Sequence, residues 1–497
     1  MTRLLVLTPL RSEAAALRVQ PDWRVLRTRM GPARARIAAA RGLAVEADAV
    51  AVAGLCAAVA PGLRAGDVVC ATELRREGAE PISVPASGLL AAALRRRGLR
   101  VHVGPVASVD RLTGPDERRG TDALAVDMES AWLAAAADGR PLAVLRVVVE
   151  ASDRRLLDPR TLVEGMRALL SLRRASDALA DWADAIAPRR VLLAGPRSFC
   201  AGVERAIDVV ELALEQRGAP VYVRKQIVHN EHVVSDLRSR GAVFVEELDE
   251  VPDGATVVFS AHGVSPAVKA EAGQRGLDVI DATCPLVNKV HAEARRFAAD
   301  GHTIFLVGHN GHEEVEGTQG EAPESIQVVE NIDDAVRIDA VDPEKVSFLT
   351  QTTLAVDETN EIVDELRRRF PALRGPASDD ICYATTNRQL AVRAVAREAD
   401  IVLVVGSQTS SNSKRLVEVA EREGARAFLV DDETDVDVSW LRSASTVAVT
   451  AGASAPESLV SRLIDSIAAL GGATVEERTT TVETLQFKLP RELVVLK

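Results

Sequence analysis

AGPRSFCAGVERAI, residues 194–207, decides how the rest of this 497-residue chain reads. The apolar run Val191, Leu192, Leu193 before it has the character of a buried strand. Val203, Ile207, Val210 and Leu214 after it recur at helical spacing. Cys200 therefore stands where a strand turns into a helix, with Gly202 just inside the turn. A thiol in that place faces the positive end of the helix dipole, which favours its ionised form. Two later stretches repeat the arrangement. DVIDATCPLVNKV (278–290) stages Cys284 between strand and helix, and DDICYATTNRQL (379–390) does the same with Cys382. Three cysteines staged alike in one part of the chain point to one shared ligand.

The composition narrows the class. The length predicts three or four domains, and a hydrophobic content of 47% can bury several cores. A formal net charge of −12 and only 3% aromatic residues argue against a nucleic-acid partner. No apolar run reaches the roughly 18 residues of a membrane helix, so no membrane span is expected. The opening LLVLTPL is too short for a secretory signal and reads as a first strand. Five cysteines are too few, and odd in number, for a disulfide framework. The expected location is the cytoplasm, with reduced thiols.

Residues 1 to about 160 alternate short apolar runs with Ala-rich helical segments. Leu4–Leu7, Ala49–Ala53, Asp67–Ala71 and Leu142–Val149 read as strands, Arg34–Val45 and Met128–Ala137 as helices. That alternation predicts an α/β sheet. Residues 162–186 are amphipathic, with Leu169, Leu172, Leu179 and Trp182 on one face, until Ala187-Pro188-Arg189-Arg190 breaks the pattern. The domain boundary is placed there, giving domains 1–187 and 188–497. Cys56 and Cys70 lie in apolar runs and read as core thiols.

Gly54-Leu55-Cys56, GLRAGDVV (62–69) and Val126-Asp127-Met128-Glu129-Ser130 give the first part its own affinity. It resembles the nucleoside phosphorylase and nucleosidase family. The resemblance implies that Glu129 holds ribose hydroxyls and that Glu13 falls near an N-terminal catalytic acid. Where the family carries Ser-Asp, this chain has Val149-Glu150, so Glu150 is the candidate for protonating the leaving base.

Beyond residue 191, strand, polar loop and helix recur, and the loops share a chemistry. VHN ends at Asn230, SAHG spans 260–263 and GHNGHEE spans 308–314. TQTT spans 350–353, GSQTSSNS spans 406–413 and TAGAS spans 450–454. Any one Ser or Thr in such a place reads as a helix cap, and His291 and His302 read as structural. The recurrence is what matters. Backbone N–H groups at helix starts, with hydroxyl, amide and imidazole donors, make a pocket for a diphosphate. In open α/β sheets such loops gather at the carboxyl ends of the strands. The cysteines lack the paired spacing of a zinc site. Three separated thiolates suit an iron–sulfur cluster with one iron lacking a protein ligand.

FCAGVERAI, VHN, FSAHGVS, DATCPLV, GHNGHEEVEGT, TQTTL, DDICYATTNRQ, SSNSKRL and TAGASAP run almost end to end through residues 191–497. In that order they resemble the 4-hydroxy-3-methylbut-2-enyl diphosphate reductase family. Gly195 and Ser198 depart from its commoner Asn and Gly. The resemblance implies three α/β modules in pseudo-threefold array, each giving one cysteine, after the phosphorylase-like α/β domain. It implies one [4Fe–4S] cluster per chain on Cys200, Cys284 and Cys382. It implies that His229, His262, His312, Ser410, Ser411, Asn412 and Ser454 bind the diphosphate, that Thr352 bonds the substrate hydroxyl, and that Glu314 supplies the proton. The products would be isopentenyl and dimethylallyl diphosphates, the last step of the methylerythritol phosphate route. Ferredoxin or flavodoxin is the expected electron donor, because no nucleotide fingerprint occurs. Two other readings compete. In one, nucleoside cleavage by the first domain is the main activity and the iron–sulfur part is inactive. In the other, the chain is an iron–sulfur sensor, which would need no diphosphate pocket.

Overall fold

The computed structural model describes residues 2–111, 113–118, 120–151 and 161–493. The chain forms two compact units. The first comprises residues 1–191 with 432–447 and 461–476; the second comprises 192–431, 448–460 and 477–497.

The first unit is built on an eight-stranded sheet. Leu4–Thr8 lies parallel between Trp23–Arg27 and Ala49–Ala58. Leu142–Glu150 runs parallel to Ala49–Ala58 and antiparallel to Val68–Arg75. Val101–Ser108 and Ala125–Asp127 complete the path between those two strands, so five strands close a ring. The ring explains why Ala49–Ala58 runs five residues past its expected end at Ala53. Its Gly54-Leu55-Cys56 segment pairs in register with Arg146, Val147 and Val148. The expected helix 128–137 is only a turn, Ser130–Leu133, followed by a 3-10 turn, Ala134–Ala136. Asp127 takes the N–H groups of Glu129 and Ser130, which delays the helix start, and Asp138 and Gly139 at φ 48° and 81° end it. Helix Thr161–Asp184 buries Leu172, Leu179 and Trp182 completely, as its apolar periodicity predicts, with Leu169 half-buried. Cys56 and Cys70 are buried core thiols.

Residues 189–479 carry three further sheets. A four-stranded sheet is ordered Ala242–Val245, Val221–Arg224, Thr256–Phe259, Asp278–Asp281, all parallel. A three-stranded one is ordered Ile326–Val329, Thr303–Val307, Val346–Thr350, again parallel. A five-stranded one is ordered Arg426–Val430, Ile401–Val405, Thr446–Ala451, Arg189–Gly195, Ala473–Thr479. Inner strands such as Ile401–Val405 are fully buried and read as continuous apolar runs, whereas the edge strand Ala473–Thr479 is polar and mostly exposed. Each cysteine lies at a crossover between sheets rather than inside one module. Cys200 follows a strand of the five-stranded sheet, and its helix packs Ala206, Val209 and Val210 on Val221, Val223 and Val258 of the four-stranded one. Cys284 leaves the four-stranded sheet, and Val290, Ala294 and Phe297 pack on Ile304, Leu306 and Leu349 of the three-stranded one. The helix after Cys382 sets Ala391, Val392 and Val395 against Val402 and Val404 of the five-stranded sheet.

Candidate active site

Cys200, Cys284 and Cys382 are the N-cap residues of helices Ala201–Arg217, Pro285–Ala299 and Tyr383–Ala396. They line one cavity of about 100 Å³. Each cysteine N–H donates to a carbonyl on a neighbouring donor-rich loop. Cys200 bonds Ala453 at 3.4 Å, Cys284 bonds Ala261 at 3.0 Å and Cys382 bonds Thr352 at 3.1 Å. Ala453 precedes Ser454 and Ala261 precedes His262, so the sulfur side and the polar side are tied together through the backbone.

The polar wall holds His229, His262, His312, Glu314, Thr352, Ser410, Ser411, Asn412 and Ser454, every one on the same cavity as the cysteines. The His229 and His262 rings stack with centroids 4.2 Å apart, and His312 meets both edge-on at 5.8 and 6.1 Å. Asn412 is fixed by accepting from Ala453 N at 2.9 Å, and Ser454 donates to the His229 carbonyl at 3.1 Å. Ser410 caps helix Ser411–Arg422, and Ser411 donates to the Thr353 carbonyl at 3.0 Å. His312 caps helix Glu313–Gln319 through Nδ1, which accepts from Glu314 N at 3.2 Å. Glu314 Oε2 accepts from both Thr352 N and Thr352 Oγ1, at 2.9 and 2.8 Å. Among the described residues Glu314 Oε1 has no hydrogen-bond partner, although the side chain lines the cavity.

Burial and neighbours divide the imidazoles. Burial, with His262 beside it, pushes His229 down to about 3, so it is neutral near pH 7. Burial also lowers His312. Burial disfavours a charge on His262, yet the hydrogen bond from its Nδ1 to Glu313 Oε2 at 3.0 Å outweighs this and raises it. Burial would raise Glu313 in turn, but His262 overrides that and holds it down at about 2. Glu313 is the residue that the sequence gives no means of singling out, since it is one of two adjacent glutamates. Thr385 is another, its hydroxyl 3.1 Å from Cys382 Sγ. Phe487 adds an apolar side chain to the cavity from the irregular C-terminal stretch.

The three thiols fit a metal cluster. A Cβ on Gly202 would stand 2.8 Å from Cys284 Sγ and 3.8 Å from Cys200 Sγ, so these two sulfurs flank the space this glycine leaves. None of the three is in a disulfide. Burial first, then the neighbouring cysteines, pushes Cys284 up to about 12 and Cys382 up to about 11. Buried thiols gathered this closely ionise together only around a cation, and an all-thiolate setting suits iron–sulfur ligation.

The first unit has its own cavity of about 280 Å³, where Glu13, Glu129 and Glu150 meet. Glu13 accepts from Leu10 N at 2.6 Å and Leu55 N at 2.8 Å, and Glu129 accepts from Gly31 N at 3.0 Å. Glu150 is tied to Arg118 at 2.6 Å, both nearly fully buried. Burial raises Glu150 and Arg118 opposes the rise.

Thiols at three crossovers, facing a wall of hydroxyl, amide and imidazole groups, define an α/β protein whose sulfur site fits a metal centre and opens on a polar pocket. The chain belongs to the LytB family: the family model described as LytB protein matches residues 191–468. The Phosphorylase superfamily model matches residues 22–186. Among similar proteins, the 4-hydroxy-3-methylbut-2-enyl diphosphate reductase of Nocardia farcinica is 60% identical over 311 residues, 62% of this chain and 93% of that one. That of Mycobacterium ulcerans is 60% identical over 306 residues, 61% of this chain and 92% of the relative. The solved Plasmodium falciparum E-1-hydroxy-2-methyl-but-2-enyl-4-diphosphate reductase is 37% identical with a TM-score of 0.60, covering 62% of this chain and 97% of that chain.

Proposed function

We propose that residues 188–497 reduce (E)-4-hydroxy-3-methylbut-2-enyl diphosphate to isopentenyl and dimethylallyl diphosphates, the last step of the methylerythritol phosphate route, and that residues 1–187 form an attached phosphorylase-like domain. The observation that carries this is the convergence of three cysteines, three histidines, Glu314, Thr352 and four amide or hydroxyl side chains on one cavity. The relatives named reductase match across nine-tenths of their length, which favours this reading over nucleoside cleavage as the main activity.

The reaction removes an allylic hydroxyl as water and consumes two electrons and two protons. Cys200, Cys284 and Cys382 would hold a [4Fe–4S] cluster, one per chain, in a pseudo-threefold setting of the three modules. Such a cluster, when bound, supplies single electrons and Lewis acidity. The rest falls to the chain's own side chains. His229, His262, His312, Ser410, Ser411, Asn412 and Ser454 hold the diphosphate, and that anchor fixes the allyl chain in place. His262, paired with Glu313, brings the positive charge; neutral His229 gives a single N–H. Thr352 positions the hydroxyl that leaves. Glu314 delivers its proton from Oε1, since Oε2 is taken up by Thr352. Leu286, Val287 and Phe487 keep water from the reacting carbon.

The electrons come from a one-electron protein donor of the ferredoxin or flavodoxin type, in the cytoplasm. Among the described residues no helix is long and apolar enough to cross a membrane. Anaerobic incubation of the reconstituted chain with a reduced one-electron donor and the hydroxylated diphosphate tests the reading. It should yield both isomeric diphosphates; unchanged substrate after iron and sulfide have been incorporated would refute it.

A further inference from the structure

Beside the reductase cavity lies a second, more open space of about 340 Å³ that no role assigned so far uses. Its lining includes the side chains of His309, His312, Thr409, Ser411, Lys414 and Arg415, with Asn310 beside them. His312 and Ser411 line the reductase cavity as well. Both are half-buried, whereas Ser410 and Asn412 beside them are buried. The two spaces therefore adjoin at His312 and Ser411.

The cations of this outer space are not equivalent. Arg415 is committed: its Nη2 meets His309 Nε2 at 3.0 Å, and its Nη1 pairs with Glu358 at 3.2 Å and with Glu418. Lys414 is exposed on the first turn of helix Ser411–Arg422, and among the described residues no carboxylate pairs with it. It follows Ser411 by three residues, so both lie on one helix face. A solvent-facing ammonium without a partner, next to hydroxyls and a helix start, attracts an anion of high charge.

We propose that this vestibule is the entry site for the substrate's diphosphate, which Lys414 draws from solvent and which passes between His312 and Ser411 to the buried donors. The proposal rests on the reductase reading above. The ligand chemistry is a diphosphate, whether carried by the allylic substrate or free as inorganic pyrophosphate.

The test compares the full-length holoenzyme with its Lys414→Gln, Lys414→Arg and Lys345→Gln variants. Lys345 is an exposed lysine outside this vestibule. At low salt Lys414→Gln should lower kcat/KM about fivefold with the loss in KM, because steering acts on encounter. The difference should shrink at about 0.5 M salt, where screening is short-ranged. Lys414→Arg should restore the wild-type value, and Lys345→Gln should match wild type throughout. Inorganic pyrophosphate should inhibit the wild type more strongly than Lys414→Gln at low salt. Equal kcat/KM and equal salt dependence in wild type and Lys414→Gln would overturn the proposal, as would a loss confined to kcat. If the chain turned over no substrate, the reductase reading would fall, and calorimetric binding of pyrophosphate would still decide the vestibule. Equal affinities in wild type and Lys414→Gln would refute it there too.

Discussion

Glu313 and Glu314 are neighbours on one helical turn with different partners. Glu313 faces His262 and is ionised; Glu314 faces Thr352 and the cavity. Replacing Glu314 with Gln keeps the hydrogen-bond acceptor for Thr352 but removes the proton, so iron content and substrate binding should persist. Turnover should fall about a hundredfold or more, read from the initial rate of product formation. Near-normal turnover in this variant would remove Glu314 from the chemistry. Glu313→Gln takes away the carboxylate that raises His262 against its burial and favours its charged form. The expected effect is a KM raised about tenfold with kcat changed less, since the charge serves diphosphate binding. The contrast also shows where the sequence stops being informative. Glu314 could be picked out by its motif, whereas the work of Glu313 depends on a histidine 51 residues away. No spacing along the chain encodes that distance.

The strand–Cys–helix units at Cys200 and Cys284 were legible because their signals are local: an apolar run, a cysteine, then a period of three and four. At Cys382 the expected strand is absent, and helix Val356–Arg369 with an irregular stretch leads into the cysteine instead. All three cysteines stand at helix N-caps, as that pattern predicts. What the pattern could not say is that each helix crosses to a different sheet from the strand before it, because that depends on pairing over tens of residues. Gly54 misled in the opposite direction. It looked like a strand end, yet pairing with Arg146 carries the strand through it, and a Cβ there would meet Arg146 Nη1 at 2.5 Å. Gly202 is the glycine on which the sulfur site depends. Gly202→Ala should leave the far-UV circular dichroism unchanged and abolish iron retention, because the new methyl group would press on Cys284 Sγ. Full iron content in that variant would show that the sulfurs do not need this space. The helix Thr161–Asp184 makes a different prediction. Leu172 is fully buried on it, so Leu172→Ala should cost about 2–5 kcal/mol in the unfolding transition of the first unit, measured with denaturant.

At the scale of the molecule, each of the two units carries a cavity lined by ionisable side chains. In the first unit, Glu13, Glu129 and Glu150 line one cavity, and Glu150 is held by a buried arginine. In the second, the three cysteines, Glu314 and the imidazole, hydroxyl and amide side chains line one cavity, and the central claim is that they act on one substrate. The measurement that tests it most directly is electron paramagnetic resonance of the anaerobically reconstituted, reduced protein, with and without (E)-4-hydroxy-3-methylbut-2-enyl diphosphate, alongside its iron content. The account predicts about four irons per chain and a spectrum that changes when the diphosphate is added. A chain that retains no iron, or a cluster whose spectrum is the same with and without the diphosphate, would contradict it.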